Sequence, residues 1–150
     1  MIGESVFLSA SYGTGAVLLR PSGGNLETLW SSGDALSNHY TTSVHHKGFL
    51  YGFHGRQEYG QALRCIDLRD GSVRWSHTGF RAGTVTLVGG RLLILAEDGR
   101  LIMAEASPDR FKILNQAKIL GGVVRAFPAL ANGILYARNE NVLVAVDLRK

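Results

Sequence analysis

The sequence predicts an all-β fold, and the prediction rests on its repeats, its glycines and its apolar spacing. Short runs rich in β-branched and aromatic residues begin at residues 5, 49, 91 and 134, which places them 44, 42 and 43 residues apart. Glycine accounts for 19 of the 150 residues, and tight turns between strands favour glycine. The apolar spacing of an amphipathic helix is nearly absent. These features predict a repeated β unit.

Each repeat contains short apolar strands joined by tight turns. Three of the runs follow a turn that ends in Gly48, Gly90 or Gly133, and two-residue hairpin turns of this kind need positive φ angles. A strand precedes each of these turns, at 42–46, 84–88 and 127–131. Further strands follow the runs at 16–20, 63–68, 101–106 and 142–148, and a fourth strand closes three repeats at 26–30, 73–76 and 111–115.

Four short strands in a repeat of about 43 residues are typical of β-propeller blades. We place the units at about 1–36, 37–79, 80–121 and 122–150, within one domain that spans 1–150. The predicted fold is a partial arc of about four four-stranded antiparallel blades, in which the first and last blades each lack a strand. A β-sandwich is the alternative, although its strands would not repeat at constant spacing.

Such an arc leaves apolar faces and strand edges open at its two ends. We therefore expect the chain to associate with itself or to belong to a longer propeller. The composition excludes some other classes of partner. The 16 Lys and Arg residues against 12 Asp and Glu give a net charge of +4, and they form no basic run, so we expect no nucleic-acid partner. The apolar stretches are too short for a helix that spans a membrane.

The second repeat contains a patterned stretch at 65–75, CIDLRDGSVRW, in which Asp67, Gly71 and Trp75 are four residues apart. Asp67 can accept main-chain N–H bonds in a tight turn, and Gly71 can adopt a positive φ there. Trp75 can bury its ring against the neighbouring blade and donate its N–H. The fourth repeat has the start of the same pattern at Asp147.

The other two repeats carry the pattern in weaker form. The first has Gly24 and Trp30 at a different spacing. In the third, alignment on the pattern places Ala106, Arg110 and Leu114 where Asp, Gly and Trp would stand.

This pattern resembles the tryptophan-docking motif of PQQ-like (quinoprotein-type) β-propeller repeat proteins, where PQQ is pyrroloquinoline quinone. The chain is similar to the C-terminal part of exported bacterial proteins of this family, over 36–55, 67–75, 95–108 and 130–148. The resemblance implies a ring of about eight blades, of which this arc is half. It also implies a periplasmic or secreted location and a structural role for Asp67, Gly71, Trp75 and Asp147.

The enzymes of this family hold the quinone between a tryptophan and a disulfide of adjacent cysteines, beside a calcium ion. This chain has one cysteine, Cys65, and no set of acidic and Asn residues that matches the calcium site. We therefore expect no catalytic residue and no cofactor. PQQ with calcium enters only under the alternative that the chain is a fragment of a PQQ-dependent oxidoreductase.

The histidines do not predict a metal site. All five lie between His39 and His77, and the adjacent His45 and His46 point to opposite faces of a strand. No spacing typical of zinc ligands occurs.

A candidate ligand site emerges when the repeats are aligned on Gly48, Gly90 and Gly133. The residues just before each first strand should gather near the propeller axis: Asn38, His39, Tyr40, Phe80, Arg81 and Arg125. Polar and aromatic groups with two arginines suit a small anionic or carbohydrate ligand, or a protein. The alternative is that these are ordinary loop residues. The long loop 54–61, with Arg56 and Glu58, is a second candidate surface.

These observations predict a non-catalytic β-propeller scaffold for binding or assembly. Two alternatives stay open: a fragment of a PQQ-dependent oxidoreductase, and a glycan-recognising module of a secreted degradative system.

Overall fold

Four antiparallel sheets follow one another along the chain in the computed structural model, which describes residues 1–149. Sheet 1 contains β1 (Val6–Ala10), β2 (Gly15–Ser22) and β3 (Asn25–Ser32). Sheet 2 contains β4 (Val44–His46), β5 (Phe49–His54), β6 (Ala62–Asp67) and β7 (Val73–His77). Sheet 3 contains β8 (Gly83–Val88), β9 (Arg91–Ala96), β10 (Arg100–Glu105) and β11 (Ile113–Lys118). Sheet 4 contains β12 (Ala129–Ala131), β13 (Ile134–Arg138) and β14 (Leu143–Asp147).

The predicted all-β arc, with three, four, four and three strands in its sheets, is confirmed. Strands pair in sequence order within every sheet. Residues 1–149 form no α-helix, and their one helical element is the 3-10 turn Gln57–Tyr59. The same residues include no helix with the length and apolar character needed to cross a membrane.

The apolar core lies between neighbouring sheets, because the central strands bury both of their faces. In β9, Leu92 and Ile94 pack toward sheet 2, whereas Leu93 and Leu95 pack toward sheet 4. All four side chains are at most 4% exposed. Successive residues of a strand point to opposite faces, so an unbroken apolar run fills the two gaps on either side of its sheet.

Two-residue hairpin turns with positive φ link the first two strands of sheets 2, 3 and 4, as their sequences predict. In each of these turns the carbonyl of the second residue, a glycine, accepts a main-chain hydrogen bond from the same position of the repeat. Gly48 O accepts from Leu68 N at 2.9 Å, Gly90 O from Ala106 N at 3.2 Å, and Gly133 O from Leu148 N at 2.8 Å. Leu68, Ala106 and Leu148 are therefore structurally equivalent.

These bonds correct the sequence alignment of the third repeat by one residue. Because Ala106 is equivalent to Leu68, Glu105 stands at the position of Asp67. A β-bulge recurs beside the outermost strand of sheets 1, 2 and 3, and the residues paired next to it are Trp30, Trp75 and Asn115. Asn115 therefore takes the tryptophan position that the alignment gave to Leu114. The turn at 106–112 is two residues longer than the turn at 68–72, so the position of Asp67 lies one residue earlier than in the alignment and that of Trp75 one residue later.

Candidate functional site

The loops that carry the candidate ligand residues emerge on one side of the sheets, which we call the top face. It comprises the loops between sheets, 33–43, 78–82 and 119–128, and the loops within sheets at 11–14, 55–61, 97–99 and 139–142. In antiparallel sheets these alternate connections leave from the same end of the strands.

On the top face, Glu97 joins two of the predicted ligand residues, Arg81 and Arg125. Arg125 donates its Nε–H to Glu97 Oε1 at 2.8 Å, and Arg81 Nε lies 3.8 Å from Glu97 Oε2. The Glu97 side chain is 8% exposed, whereas those of Arg81 and Arg125 are 87% and 55% exposed. Glu97 N also donates to Ala82 O, and Glu97 O accepts from Val124 N, both at 2.8 Å. A buried, fixed carboxylate therefore binds one exposed guanidinium group and lies near a second.

Tyr40 lies beside this pair. Its hydroxyl is buried and has no hydrogen-bond partner among residues 1–149. Burial raises the pKa of Tyr40, nearby Glu97 raises it further, and Arg125 opposes the shift. At neutral pH the Tyr40 hydroxyl is therefore a protonated group with an unused donor next to the arginines.

A second cluster on the top face combines aromatic rings with Arg56. The Arg56 guanidinium carbon lies 4.4 Å from the centroid of the Tyr12 ring and 5.1 Å from that of the Tyr59 ring. Arg56 also donates to Glu58 Oε1 at 3.0 Å, which raises the pKa of Arg56 and lowers that of Glu58. Tyr12 Oη lies 2.9 Å from His39 Nε2. The second candidate surface therefore adjoins the first, since His39 contacts the Tyr40 ring edge-on at 5.5 Å.

A groove of about 500 Å³ runs beside this second cluster, between sheets 1 and 2. Its lining includes Ser11, Tyr12, Asp34, Ser37, His54 and Arg56. The buried Ser11 hydroxyl and Arg56 Nε have no hydrogen-bond partner among the described residues. These two atoms lie beneath the surface, so the groove itself presents its exposed side chains, Tyr12 and Asp34 among them.

Asn38 and Phe80 do not belong to the exposed surface, although the alignment placed them there. Asn38 is 6% exposed, its Nδ2 donates to Phe53 O at 3.0 Å, and its Oδ1 accepts from Ser43 Oγ at 3.0 Å. Phe80 is 7% exposed and packs edge-on against Phe53 with ring centroids 5.5 Å apart. Both residues are buried because their loops cross over the ends of sheets 2 and 3. There Asn38 hydrogen-bonds a main-chain carbonyl and Phe80 shields an apolar ring from water.

Sequence reasoning missed Glu97, Tyr12 and Tyr59. Glu97 gave one signal, because a carboxylate directly follows the wholly apolar run 92–96. An acid at that point must find a partner or reach solvent. Tyr12 and Tyr59 gave no comparable signal, since isolated aromatic residues in loops are common.

The residues of the patterned stretch lie in or next to the β6–β7 turn, on the side opposite the top face. Asp67 Oδ1 accepts from Arg69 N at 3.0 Å, and Arg69 Nη2 donates to Asp67 Oδ2 at 2.7 Å, which lowers the pKa of Asp67 to about 2. Gly71 has a φ of 73°. Trp75 donates its Nε1–H to Ser107 O of sheet 3 at 2.9 Å. Asp147 repeats the Asp67 arrangement with Arg149, at 3.0 Å and 2.7 Å.

The described residues do not fit the cofactor site of the quinoprotein enzymes. Cys65 is fully buried in the core between sheets 2 and 3, and burial raises the pKa of its thiol to about 12. No second cysteine exists in the sequence to pair with it. Within residues 1–149, no group of three or more His, Cys, Asp or Glu side chains is placed to hold a metal ion.

Comparisons with known proteins agree with the fold. No protein-family model matches the sequence, and no curated protein matches it. Among solved structures, 54 chains match. The computationally designed Ika8 protein has a TM-score of 0.66 at 13% identity, with 97% of this chain covered and 43% of that one. BamB from Moraxella catarrhalis has a TM-score of 0.65 at 17% identity, with 95% and 45% covered.

BamB is a β-propeller, so the structural similarity of this chain to BamB identifies the fold. The chain has a propeller-type fold. The four sheets are its blades, and the chain spans less than half the length of each of these two structures. At these identities the likeness shows the fold alone.

Proposed function

We propose that this propeller arc is a non-catalytic binding scaffold whose top face recognises an anionic group on a protein or small-molecule partner. One observation carries the proposal: two exposed arginines, Arg81 and Arg125, lie at the buried carboxylate of Glu97. Arg125 contacts Glu97 through Nε, and its terminal nitrogens make no hydrogen bond to residues 1–149.

The charges and donors of this cluster favour a carboxylate or a phosphate. Two exposed guanidinium groups lie at the one buried carboxylate of Glu97, and the charge of Glu140 acts on Arg125 more weakly than that of Glu97. Guanidinium groups present forked donors that match the oxygens of such anions, and the bonds are charge-assisted. The hydrogen bond to Glu97 fixes Arg125 in advance, which reduces the entropy that this side chain loses on binding.

We also propose that the chain is a scaffold and a member of the PQQ-like family, and other observations support this. The fold resembles that of BamB, which is a scaffold-type protein. The indole N–H of Trp75 reaches a carbonyl of the next blade, as expected for a tryptophan-docking motif. The buried thiol of Cys65 is unsuited to a disulfide or to nucleophilic attack.

The test is a titration with citrate and with a short peptide of alternating Asp and Glu, followed by backbone amide NMR shifts. We expect shifts at Arg81, Glu97 and Arg125, and an affinity at least about tenfold weaker when both arginines are changed to Ala. Arg110→Ala is the matched control, because Arg110 is an exposed arginine in a turn on the opposite side. Equal shifts at all surface arginines, or unchanged affinity in the double variant, would contradict the proposal.

Glycan recognition is the second candidate function, and the groove beside Arg56 favours it. Tyr12 and Tyr59 are 68% and 81% exposed, and exposed rings next to polar groups can stack on sugars. A soluble glycan array tests this candidate. The glycan function belongs to this groove if Tyr12→Ala and Tyr59→Ala abolish glycan binding. The variants of Arg81 and Arg125 should leave that binding intact.

We further propose that the scaffold assembles with a second copy through its end blades. The outer face of sheet 4 exposes Leu143 and Tyr136, at 69% and 39%, and that of sheet 1 exposes Leu8 at 51%. Two copies also approach the length of the matched propellers, of which one copy covers 43% and 45%. Light scattering should show dimers that Leu143→Glu dissociates and that the control Val73→Glu, on an outer strand, leaves intact. A monomer at high concentration would contradict this.

A further inference from the structure

The gap between sheets 3 and 4 differs from the other two gaps at one repeated position. Each of the first three sheets contains a row of three paired residues across its strands. These rows are Phe7–Leu18–Trp30 in sheet 1, Tyr51–Cys65–Trp75 in sheet 2, and Leu93–Met103–Asn115 in sheet 3. The third row therefore has Asn where the first two have Trp, and Leu where they have an aromatic ring.

The tryptophans of the first two rows fill the gap to the next sheet in a similar way, with acceptors that differ by one position. Trp30 donates Nε1–H to Leu68 O at 2.8 Å, and Trp75 donates Nε1–H to Ser107 O at 2.9 Å. Their rings pack on apolar side chains of both adjoining sheets. In sheet 4, the residue equivalent to Leu68 is Leu148, because each donates its N–H to the glycine of a hairpin turn.

Two adjacent cavities lie at this place between sheets 3 and 4. Their volumes are about 120 Å³ and 290 Å³, and both are lined by Leu93, Met103 and Leu148. Asn115 lines the smaller cavity, and Arg91 lines the larger one. An apolar protein cavity of about 150 Å³ is large enough to bind a benzene ring. The cavity beside Asn115 is somewhat smaller than this, but together with the adjacent one it leaves more space than an aromatic ring needs.

We propose that this space is a binding site for a planar aromatic molecule with a ring N–H, of the size of indole. The ring would lie on Leu93 and Met103, as Trp75 lies on the row of sheet 2. Its N–H would donate to Leu148 O, as Trp30 donates to Leu68 O. Arg91 lies at the edge of the larger cavity, with its Nη1 3.8 Å from Met103 Sδ. There its guanidinium can contact the face of the bound aromatic ring.

The experiment uses 5-fluoroindole with the full chain, followed by fluorine NMR of the ligand and amide shifts of the protein. We expect saturable binding with a dissociation constant below about 1 mM and shifts centred on Leu93, Met103 and Leu148. 1-Methylindole, which lacks the N–H, should bind about two- to tenfold more weakly. Equal binding of 1-methylindole would contradict the bond to Leu148 O.

Two tryptophan variants provide a matched pair. Asn115→Trp supplies the ring from the chain itself, so it should weaken 5-fluoroindole binding at least about tenfold and raise the midpoint of thermal unfolding. Ile113→Trp places the same ring on the opposite face of β11, because Ile113 pairs with Ala104, which packs toward sheet 2, and it should leave the affinity unchanged. Met103→Phe narrows the cavity and serves as a second blocking variant if Asn115→Trp does not fold.

Three outcomes would overturn the proposal. The first is the absence of saturable binding by the wild-type chain, and the second is undiminished binding by both blocking variants. The third is a set of amide shifts that maps to another part of the arc. None of these outcomes bears on the anion site of the top face, because Arg81 and Arg125 lie on other elements.

Discussion

The indole ring of Trp30 lies directly on Gly71 of the next blade. A Cβ atom at Gly71 would stand 2.9 Å from Cε3 and from Cζ3 of that ring, which is closer than real Cβ contacts. Gly71 also has a φ of 73°, in the region that side-chain-bearing residues rarely adopt. The glycine is therefore needed twice, for the shape of its turn and for the approach of the neighbouring tryptophan.

Gly71→Ala should therefore lower the free energy of unfolding by more than backbone strain alone. Strain at positive φ costs about 1 kcal/mol, and overpacking against the Trp30 ring adds about 1–3 kcal/mol. Urea unfolding measures the sum. Gly24→Ala is the control, because Gly24 has a φ of 83° with open space around its Cβ position. Equal losses in the two variants would show that the Trp30 contact contributes nothing.

Trp75 should stabilise the contact between the second and third blades. Its ring lies 6.0 Å from that of Tyr51 and 5.6 Å from that of Phe111, and its N–H donates to Ser107 O. Trp75→Ala should cost about 3 kcal/mol, at the lower end for a large aromatic because the ring is partly exposed. Trp75→Phe should cost less, since it keeps a ring and loses a bond of about 1 kcal/mol. A loss below about 1 kcal/mol for Trp75→Ala would contradict a structural role.

Stability should fall in mildly acidic solution because two histidines accept main-chain N–H bonds. His54 Nδ1 accepts from Ser37 N at 3.1 Å, and His45 Nε2 accepts from Gly48 N at 3.1 Å. Burial lowers the pKa of both rings; Arg64 lowers that of His54 further, while Asp34 opposes this. Below the unfolded value of about 6.5 the unfolded chain binds more protons, so the free energy of unfolding decreases as pH falls through this value.

Urea unfolding between about pH 5 and pH 8 measures this dependence. The double variant with His45→Gln and His54→Gln should show a flatter profile, because glutamine does not titrate. His77→Gln is the control and should keep the dependence, since His45 and His54 remain. An unchanged slope in the double variant would assign the acid sensitivity to other groups.

The arc should not bind PQQ usefully, with or without calcium. Cys65 is a single buried thiol, and the described residues include no cluster of metal ligands. Calorimetric titration with PQQ and calcium is the measurement. A dissociation constant below about 1 μM, equivalent to about −8 kcal/mol, would favour the oxidoreductase alternative over the scaffold.

The candidate site was predictable only in part. Alignment of the repeats placed Arg81 and Arg125 near each other, and the structure brings them to the same carboxylate. The alignment could not predict that Asn38 is buried. Its hydrogen-bond partners, Phe53 O and the Ser43 hydroxyl, are known only from the structure. Nor could the alignment find the role of Glu97, since the pairing depends on which loops meet above neighbouring blades.

The sequence by itself determined the strands, their order and the number of strands in each sheet. Short apolar runs and hairpin turns such as Asn132-Gly133 act over a few residues, so their effect can be read locally. The tertiary structure decided which loop residues share a surface and which position in β11 matches Trp75. The turn before β11 is longer than the turn before β7, which moves that position by one residue, and only the pairing of β11 with β10 reveals the shift. Contacts between blades depend on such small offsets, because packed side chains from two sheets must meet in one place.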